Sequence, residues 1–424
     1  MEQTVAYLAL AATIGLAVAR PRLGPRFRFT PGTAALVGVL ALVAAHLLTP
    51  QMMLDAARVQ WRPLVTLTSI MILTGVVQEV GAADRLAAHI ERRARTRSAS
   101  STFTLVFALS AATPSLLNND AAILILTPLV VALARRLYPR RPELTIAFAF
   151  AVFLAPGVAP FIVSNPMNMI VAEYAGLAFN SYAIVMAPLS LAGAALTYAI
   201  LRWLYRDLLR SAVAAPSPLV TVHRHAGERP AVVLMLAVFA AYPVAASLGI
   251  DIWMVAAAGA LASLAVCRAY RIAPVRKATS HVSYDILVFL WGIFLVVQGL
   301  RSAGAVDQLR VLYGAAPDGS AGQLAAIGTI SALGSAAIDN HPMSILNMLA
   351  IDPSHGPGPL LAALVGGDIG PRLLPIGSLA GLLWIDLLRR AGVEVGVGRF
   401  VRIGTLVVLP TLAASLAMLW LLGP

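Results

Sequence analysis

Two short polar segments interrupt an otherwise apolar chain, and both hold side chains that could do chemistry. The first is Asn118–Asp120, with the sequence NND, and the second is Asp339–Pro342, with the sequence DNHP. A carboxylate beside amides in apolar surroundings is costly unless a polar group meets it there. The two segments also occupy matching positions in the two halves of the chain, a pattern that points to the substrate site of a transporter.

The composition indicates an all-α polytopic membrane protein. The chain of 424 residues is 59% hydrophobic and 12% charged, with a mean hydropathy of +0.83, whereas soluble proteins carry about 25% charged residues. Apolar runs near the spanning length of about 20 residues recur along the chain. We expect about ten transmembrane helices, over residues 4–19, 31–48, 61–80, 143–163, 181–204, 230–249, 251–268, 283–300, 361–388 and 399–422.

Two regions do not fit as simple crossings. Residues 100–138 and 320–351 each hold two apolar arms that meet at one of the polar segments. Non-helical backbone at membrane depth is tolerated where it is buried in protein or lines a wet cavity. We therefore predict that both regions are re-entrant helical hairpins.

The basic residues support this layout. The net charge is +12, but the arginines cluster in short connections between apolar runs, as the positive-inside rule expects, and this placement argues against nucleic acid as a partner. If both termini are outside, the outer connections hold only Arg58, Arg62, Arg301 and Arg310. This layout predicts a multi-pass membrane protein with both termini outside.

An internal repeat precedes each hairpin. The sequence VVQ at 76–78 is followed by GAADRL at 81–86, and VVQ at 296–298 is followed by GAVDQL at 304–309. The first copy runs inward in this layout and the second runs outward, so the repeats are inverted, as in many secondary transporters. The predicted organisation is N-terminal helices at 1–60, a first repeat half at 61–204, a cytoplasmic loop at 205–229, linking helices at 230–282 and a second repeat half at 283–424.

A helix with its own break follows each hairpin. Asn165 and Asn168 flank Pro166 in the first, where proline removes a backbone donor and restricts the residue before it. The second break, GGDIGPRLLPIGS at 366–378, is rich in glycine and proline and ends in Gly377 and Ser378. Asp368 and Arg372 are four residues apart in this segment, near enough to pair on a helix, and we expect a structural ion pair in preference to contact with substrate.

Asp120 and Asp339 are the strongest candidates for coupling. Each could bind a cation, carry a proton or cap the N-terminus of a half-helix, and we expect a transport role. His341 beside Asp339 does not by itself specify a metal site. The chain has no nucleotide-binding G-x-x-x-x-G-K-[ST] loop, so we predict a secondary transporter without a cofactor rather than an enzyme.

These segments together resemble the bacterial arsenite/antimonite efflux permeases of the ion-transporter superfamily. The resemblance covers both halves and nearly the full length. Its most specific part is GPRLLPIGSLAGLLW at 370–384, and the others are LNNDAAILILTP at 117–128, NPMN at 165–168 and DNHP at 339–342.

The resemblance implies export of trivalent arsenic or antimony as the uncharged trihydroxide, with protons moving inward. It also implies a location in the bacterial cytoplasmic (inner) membrane and allows a soluble arsenite-stimulated ATPase as a partner. By analogy, Asp120 and Asp339 would couple protons, and the substrate site between the hairpin tips and broken helices would hold Asn119, Asn165, Asn168, Asn340, Gly377 and Ser378. A thiolate site for arsenic is impossible within one chain, because Cys267 is the only cysteine. Amides, hydroxyls and free backbone groups could hold the neutral trihydroxide instead.

Three other functions are also compatible with this sequence. A sodium/proton antiporter of the same superfamily is the main alternative, because acids and amides also supply the oxygen ligands of hard cations. A passive channel fits paired inverted hairpins less well than alternating access does. An intramembrane enzyme would need a nucleophile–base pair or a metal cluster, and we find neither at helical spacing.

Overall fold

The fold is built almost entirely from α-helices. The computed structural model describes residues 2–22, 27–94, 98–117, 119–215 and 225–423, without the side chains of Ala83, Ala87, Leu116, Leu117, Asp120, Ala305 and His355. Within these ranges there is no strand beyond one isolated bridge between Arg22 and Arg28. The helices of the first half are α1 Glu2–Ala19, α2 Pro31–Ala44, α3 Pro50–Glu79, α4 Ala82–Ala94, α5 Ala99–Ala112, α6 Pro114–Leu117, α7 Asn119–Leu137, α8 Pro142–Leu154, α9 Pro166–Tyr174, α10 Phe179–Leu204 and α11 Arg206–Arg210.

The second half repeats this order of long and short helices. A pair of apolar helices leads to a long helix, a short amphipathic helix, a hairpin, a broken helix and a final long helix. The helices are α12 Glu228–Ser247, α13 Ile252–Ala269, α14 Val275–Thr279, α15 Tyr284–Ser302, α16 Ala305–Tyr313, α17 Ala321–Ile338, α18 Asn340–Ala350, α19 Gly358–Ile369, α20 Leu379–Arg390 and α21 Val397–Leu422.

Local sequence explains where several of these helices begin. Thr30, Thr49, Ser98 and Ser320 precede α2, α3, α5 and α17, and each side chain accepts a hydrogen bond from the backbone N–H three residues later. Such caps satisfy backbone donors that a helix start leaves free. Proline follows Thr30 and Thr49 at the first helical position, where its missing N–H costs nothing.

The matching helices α3 and α15 run in opposite directions. Glu79 at the end of α3 pairs with Lys277 at 2.7 Å and His281 at 2.8 Å, just before α15 begins. At the other end, Ser302 of α15 contacts Met52 near the start of α3. The fold is therefore an inverted repeat, as the sequence predicted.

The turns after these two helices also match. Gly81 follows α3 with φ +70° and Gly304 follows α15 with φ +79°. Glycine adopts this left-handed conformation without the steric penalty of a side chain. The GAADRL and GAVDQL sequences thus encode the same turn in both halves.

Seven helices of the described chain are long and apolar enough to cross a membrane, or eight if α3 and α4, bent by 53°, count as one span. One of the seven is α17, an arm of the second hairpin. The expected crossings at 31–48, 143–163 and 361–388 are absent from this count. Their helices are either short, as in α2 with 14 residues, or broken, as in α8–α9 and α19–α20.

The second hairpin returns to the face from which it starts. Tyr313 joins its two ends, because its carbonyl accepts from Gln323 Nε2 at 3.2 Å and its hydroxyl lies 2.5 Å from Asn347 Oδ1. Asn347 also donates to Ser331 Oγ on the opposite arm at 2.8 Å. These contacts close α17 and α18 into a re-entrant hairpin with Asp339 at its tip.

The supporting helices pack crosswise between the halves. The pair α1–α2 packs against α15 of the second half, and α13 of the pair α12–α13 packs against α3 of the first. A separate core forms around α5 and α7, which are the arms of the predicted first hairpin, with α8, α20 and the start of α21. There Phe150 and Phe153 contact Trp384 and Phe400. Phe103 near the start of α5 and Tyr138 just after α7 both contact Phe148, so the first hairpin also returns to the face from which it starts.

Gly366→Ala should destabilise the second half. A Cβ at this position would meet Gly328 O and lie 2.8 Å from Ser331 Cβ, where α19 packs on α17. Overpacking of this kind costs about 1–3 kcal/mol. Thermal unfolding in detergent should therefore occur at lower temperature than in wild type. The control is Gly15→Ala on α1, where a Cβ would have no atom within 4 Å; an equal loss of stability in both variants would contradict this account.

Candidate functional site

A small cavity lies where the hairpin tips meet the two broken helices. Its volume is about 40 Å³. One water needs about 10–15 Å³, so the cavity has room for a solute of a few heavy atoms. The lining residues are Asn119, Ile123, Phe153, Pro156, Asn165, Pro166, Asn340, His341, Asp368, Pro371, Arg372, Ser378 and Ala380.

The first hairpin contributes Asn119 to the cavity. The four-residue helix α6 ends at Leu117, and α7 begins at Asn119. Asn118 lies outside the described residues. Asp120 belongs to the first turn of α7, but its side chain also lies outside what the structure describes.

The second hairpin turns at Asp339, which is buried and has a positive φ of +77°. A non-glycine residue in such a conformation stores about 1–3 kcal/mol of strain, which the surrounding structure must hold. Asp339 Oδ1 accepts from the backbone N–H of His341 at 2.9 Å and lies 2.6 Å from His341 Nδ1. The side chain thus caps α18 and orients His341, whose ring packs edge-on to Phe289.

The first broken helix presents two buried asparagines. Asn165 has an extended backbone between Ser164 and α9, and its Oδ1 caps α9 by accepting from Met167 N at 3.1 Å. This contact leaves the Asn165 amide group free to donate elsewhere. Asn168, one turn later, donates through Nδ2 to the Tyr182 hydroxyl at 2.6 Å.

The second broken helix contacts the tip of the second hairpin through its backbone. A 3₁₀ turn over Gly370–Arg372 follows α19, and Ser378 caps α20 by accepting from Gly381 N at 3.0 Å. The carbonyl of Gly377 accepts from Asn340 N at 3.1 Å. A Cβ on Gly377 would lie 2.7 Å from Pro371 Cα, so this close approach requires glycine.

Asp368 at the end of α19 joins the two halves of the site. Its carboxylate accepts from Asn165 Nδ2 at 2.8 Å, from Ala159 N at 2.9 Å and from Asn168 Nδ2 at 3.2 Å. The residue is 5% exposed. All three donors come from the break in the first half, so one buried carboxylate organises both breaks.

The expected ion pair between Asp368 and Arg372 is not the main contact of either residue. Arg372 Nη1 donates to the backbone carbonyl of Asp368, and Nη2 donates to the carbonyl of Gly157 at 3.4 Å. The Asp368 carboxylate is directed to the amides of the first half instead. Four-residue spacing predicted a pairing within one helix, but the helix ends between these residues and redirects both side chains.

The structure brings most of the predicted residues to one place. Asn119, Asn165, Asn340 and Ser378 line the cavity. Asn168, Asp339 and Gly377 lie behind it, each bonded to a lining residue. Asp368 was not predicted as a substrate-site residue, although an acid between glycines in a broken membrane helix is a usable signal.

Four helices begin at this cavity. Their first residues are Asn119, Pro166, Asn340 and Leu379, at the starts of α7, α9, α18 and α20. Helix N-termini carry partial positive charge and free backbone donors. The acidic side chains of Asp339 and Asp368 lie beside two of these helix ends, where Asp339 caps α18 and Asp368 accepts from Asn165, the capping residue of α9.

Comparisons with known proteins agree with this architecture. The crystal structure of the Alcanivorax borkumensis YdaH transporter, which has an unusual topology, matches with a TM-score of 0.56 at 17% identity, covering 99% of this chain and 96% of that one. This likeness supports the fold.

Sequence relatives are closer. The citrate transporter family matches residues 14–367. An arsenical pump membrane protein of Escherichia coli is 32% identical over 398 residues, covering 91% of this chain and 92% of the relative. Another from Yersinia enterocolitica is 32% identical, covering 85% and 86%. An uncharacterized transporter of Mycobacterium bovis is 28% identical, covering 91% and 92%. This chain is thus a multi-pass membrane transporter that belongs to the citrate transporter family by its family match and to the family of the arsenical pump membrane proteins by its relatives.

Proposed function

We propose that this protein exports trivalent arsenic or antimony, as the neutral trihydroxide, in exchange for protons. The relatives named arsenical pump membrane proteins support the substrate class. The observation that carries the proposal is the small cavity lined by amides, a hydroxyl and a carboxylate, with a volume of about 40 Å³. An arsenic atom with three hydroxyl groups is a solute of this size, whereas a tricarboxylate such as citrate is far larger.

The charge balance of the site also favours a neutral substrate. Four helix N-termini would attract an anion, but Asp339 and Asp368 already supply negative charge beside them. An incoming carboxylate would meet the acidic side chains of Asp339 and Asp368, with Arg372 as the arginine among the described residues that line the cavity. Like charges within a poorly solvated site are strongly repelled.

The buried side-chain oxygen of Asn340 fits a substrate that donates hydrogen bonds. Asn340 lines the cavity, and none of the described residues hydrogen-bonds its Oδ1 although that atom is buried. A buried acceptor left without a partner costs about 1–3 kcal/mol. Each hydroxyl of a metalloid trihydroxide can donate to such an oxygen, whereas the three carboxylates of ionised citrate can only accept hydrogen bonds.

Proton coupling is the part of the proposal assigned to Asp120 and Asp339. The Asp339 side chain lies 2.6 Å from a second titratable group, His341 Nδ1. Binding a proton at Asp339 in one orientation and releasing it in the other would drive export. We also propose that the face with the arginine-rich connections is cytoplasmic, so that both termini lie outside.

The sodium/proton antiporter is the second candidate. Its support is also Asn340 Oδ1, because hard cations prefer carboxylate and amide oxygens. Sodium differs from the trihydroxide in that it accepts lone pairs and donates no proton.

Transport in everted membrane vesicles, washed free of soluble proteins, distinguishes these functions. An imposed pH gradient, acid inside, should drive uptake of arsenite, with no response to citrate. Proton movement that follows added sodium without metalloid would support the antiporter instead. If arsenite uptake appears only when ATP and a soluble ATPase fraction are added, transport is coupled to ATP hydrolysis and not to protons. Active vesicles that take up no arsenite under any of these conditions would refute the proposal.

A further inference from the structure

A second, larger cavity lies at the Glu79 end of α3, away from the candidate substrate site. Its volume is about 480 Å³, within the range of about 300–1,000 Å³ that holds elongated small molecules. Its walls come from α3, α4, both arms of the first hairpin and α12. The apolar lining residues include Val77, Leu86, Leu109, Leu129, Val232 and Met235.

One rim of this cavity is basic. Arg85, His89 and Arg92 line it from α4, together with Ala82 and Leu86, and their spacing puts all five on one face of that helix. Arg85 forms an ion pair with Glu228 at the start of α12. His89 and Arg92 are exposed further along α4, and Arg92 is in the last turn, where a cation is favoured by the helix dipole.

The opposite face of α4 is anchored to the protein. Ile90 and Ala94 are buried in the core around the first hairpin. Glu91 is also buried and pairs with Arg136 of α7 at 3.4 Å. The basic, cavity-facing side of α4 is therefore held in a fixed orientation.

We propose that this cavity binds an anionic phospholipid, with an acyl chain between α3, α12 and the first hairpin and the headgroup phosphate on Arg92 and His89. Arg85, His89, Arg92 and Glu228 are the charged or titratable residues that line the cavity, and the walls away from them are largely apolar, so a charge desolvated there would have no partner. The basic rim selects a negative headgroup, as basic pockets between membrane helices do. Such a lipid contacts α3 and α12 on one side and both arms of the hairpin that carries Asn119 on the other.

The test measures lipid bound to the purified full-length protein by native mass spectrometry. Delipidated protein is incubated with phosphatidylglycerol or phosphatidylcholine that carry the same acyl chains. We expect retention of phosphatidylglycerol over phosphatidylcholine, and about fivefold weaker retention of phosphatidylglycerol in Arg92→Gln. Arg93→Gln is the control, because it removes the same charge from an exposed position that does not line the cavity.

A second pair of variants tests the acyl-chain site. Val232→Trp should fill the cavity and reduce retention of phosphatidylglycerol, whereas Val233→Trp, at a neighbouring residue that is 63% exposed, should not. Inorganic phosphate should not displace the lipid, since it lacks the chain. Equal retention of both lipids by wild type, or equal retention of phosphatidylglycerol by Arg92→Gln and Arg93→Gln, would overturn the proposal. If Val232→Trp does not fold, the comparison of Arg92→Gln with Arg93→Gln still tests the proposal.

Discussion

Asp368→Asn should reduce arsenite transport at least about tenfold, because a carboxylate hydrogen-bonded to three donors from the other half is replaced by an amide. The amide keeps one acceptor oxygen, but its NH₂ group faces donors that need an acceptor. Bonds to a charged partner contribute about 1.5–3 kcal/mol each. Losing them would let the breaks after α8 and α19 separate, and Asn165 and Asn168 would lose the group that orients them.

Transport and stability must be measured together for this variant. Asp386→Asn on α20 makes the same chemical change at a half-buried carboxylate that pairs with Arg390 at 2.7 Å, outside the cavity lining, and it should transport like wild type. We expect Asp368→Asn to reach the membrane and to unfold in detergent at somewhat lower temperature. If Asp368→Asn transported arsenite at the wild-type rate, Asp368 would not be a functional residue of the site.

Asp339→Asn should abolish the response of transport to a pH gradient. Asparagine is as good a helix cap as aspartate, so the contact with the backbone N–H of His341 can persist. What is lost is the carboxylate that can bind a proton next to His341 Nδ1. If Asp339 couples protons, arsenite uptake driven by a pH gradient should fall at least about tenfold, whereas exchange of labelled for unlabelled arsenite without a gradient should continue.

Asp339→Gly separates coupling from backbone conformation. Glycine adopts the positive φ of this position without strain, so the hairpin tip should keep its path while losing its carboxylate. Gradient-driven uptake should fail in this variant as well. Preserved uptake in Asp339→Gly would mean that the residue serves only the turn, and gradient-driven uptake at the wild-type rate in Asp339→Asn would assign coupling elsewhere.

Much of the fold could be predicted because its determinants are local. Apolar runs predict membrane helices, and the polar segments at 118–120 and 339–342 predict the hairpin tips. The VVQ repeats predict the inverted halves. The asparagines around Pro166 were found because proline and amides together mark a broken membrane helix.

The contacts of Asp368 could not be predicted, because they are long-range. Its partners Ala159, Asn165 and Asn168 lie far away in sequence, and only the antiparallel arrangement of the halves brings them together. Spacing within the segment pointed to Arg372 instead. The strained backbone at Asp339 was equally hidden, since nothing in the sequence DNHP requires a positive φ for an aspartate.

The crosswise packing of the supporting helices has a consequence for biogenesis. The helix α2 ends at Ala44, but its packing partner α15 begins only at Tyr284. At typical rates of synthesis the ribosome needs on the order of tens of seconds to cover that interval. The face of α2 that later contacts α15 stays exposed to lipid during this time. Its small residues Ala34, Ala35 and Gly38 form a surface on which other membrane helices can pack closely. The first half thus completes its assembly only after much of the second has been inserted into the membrane.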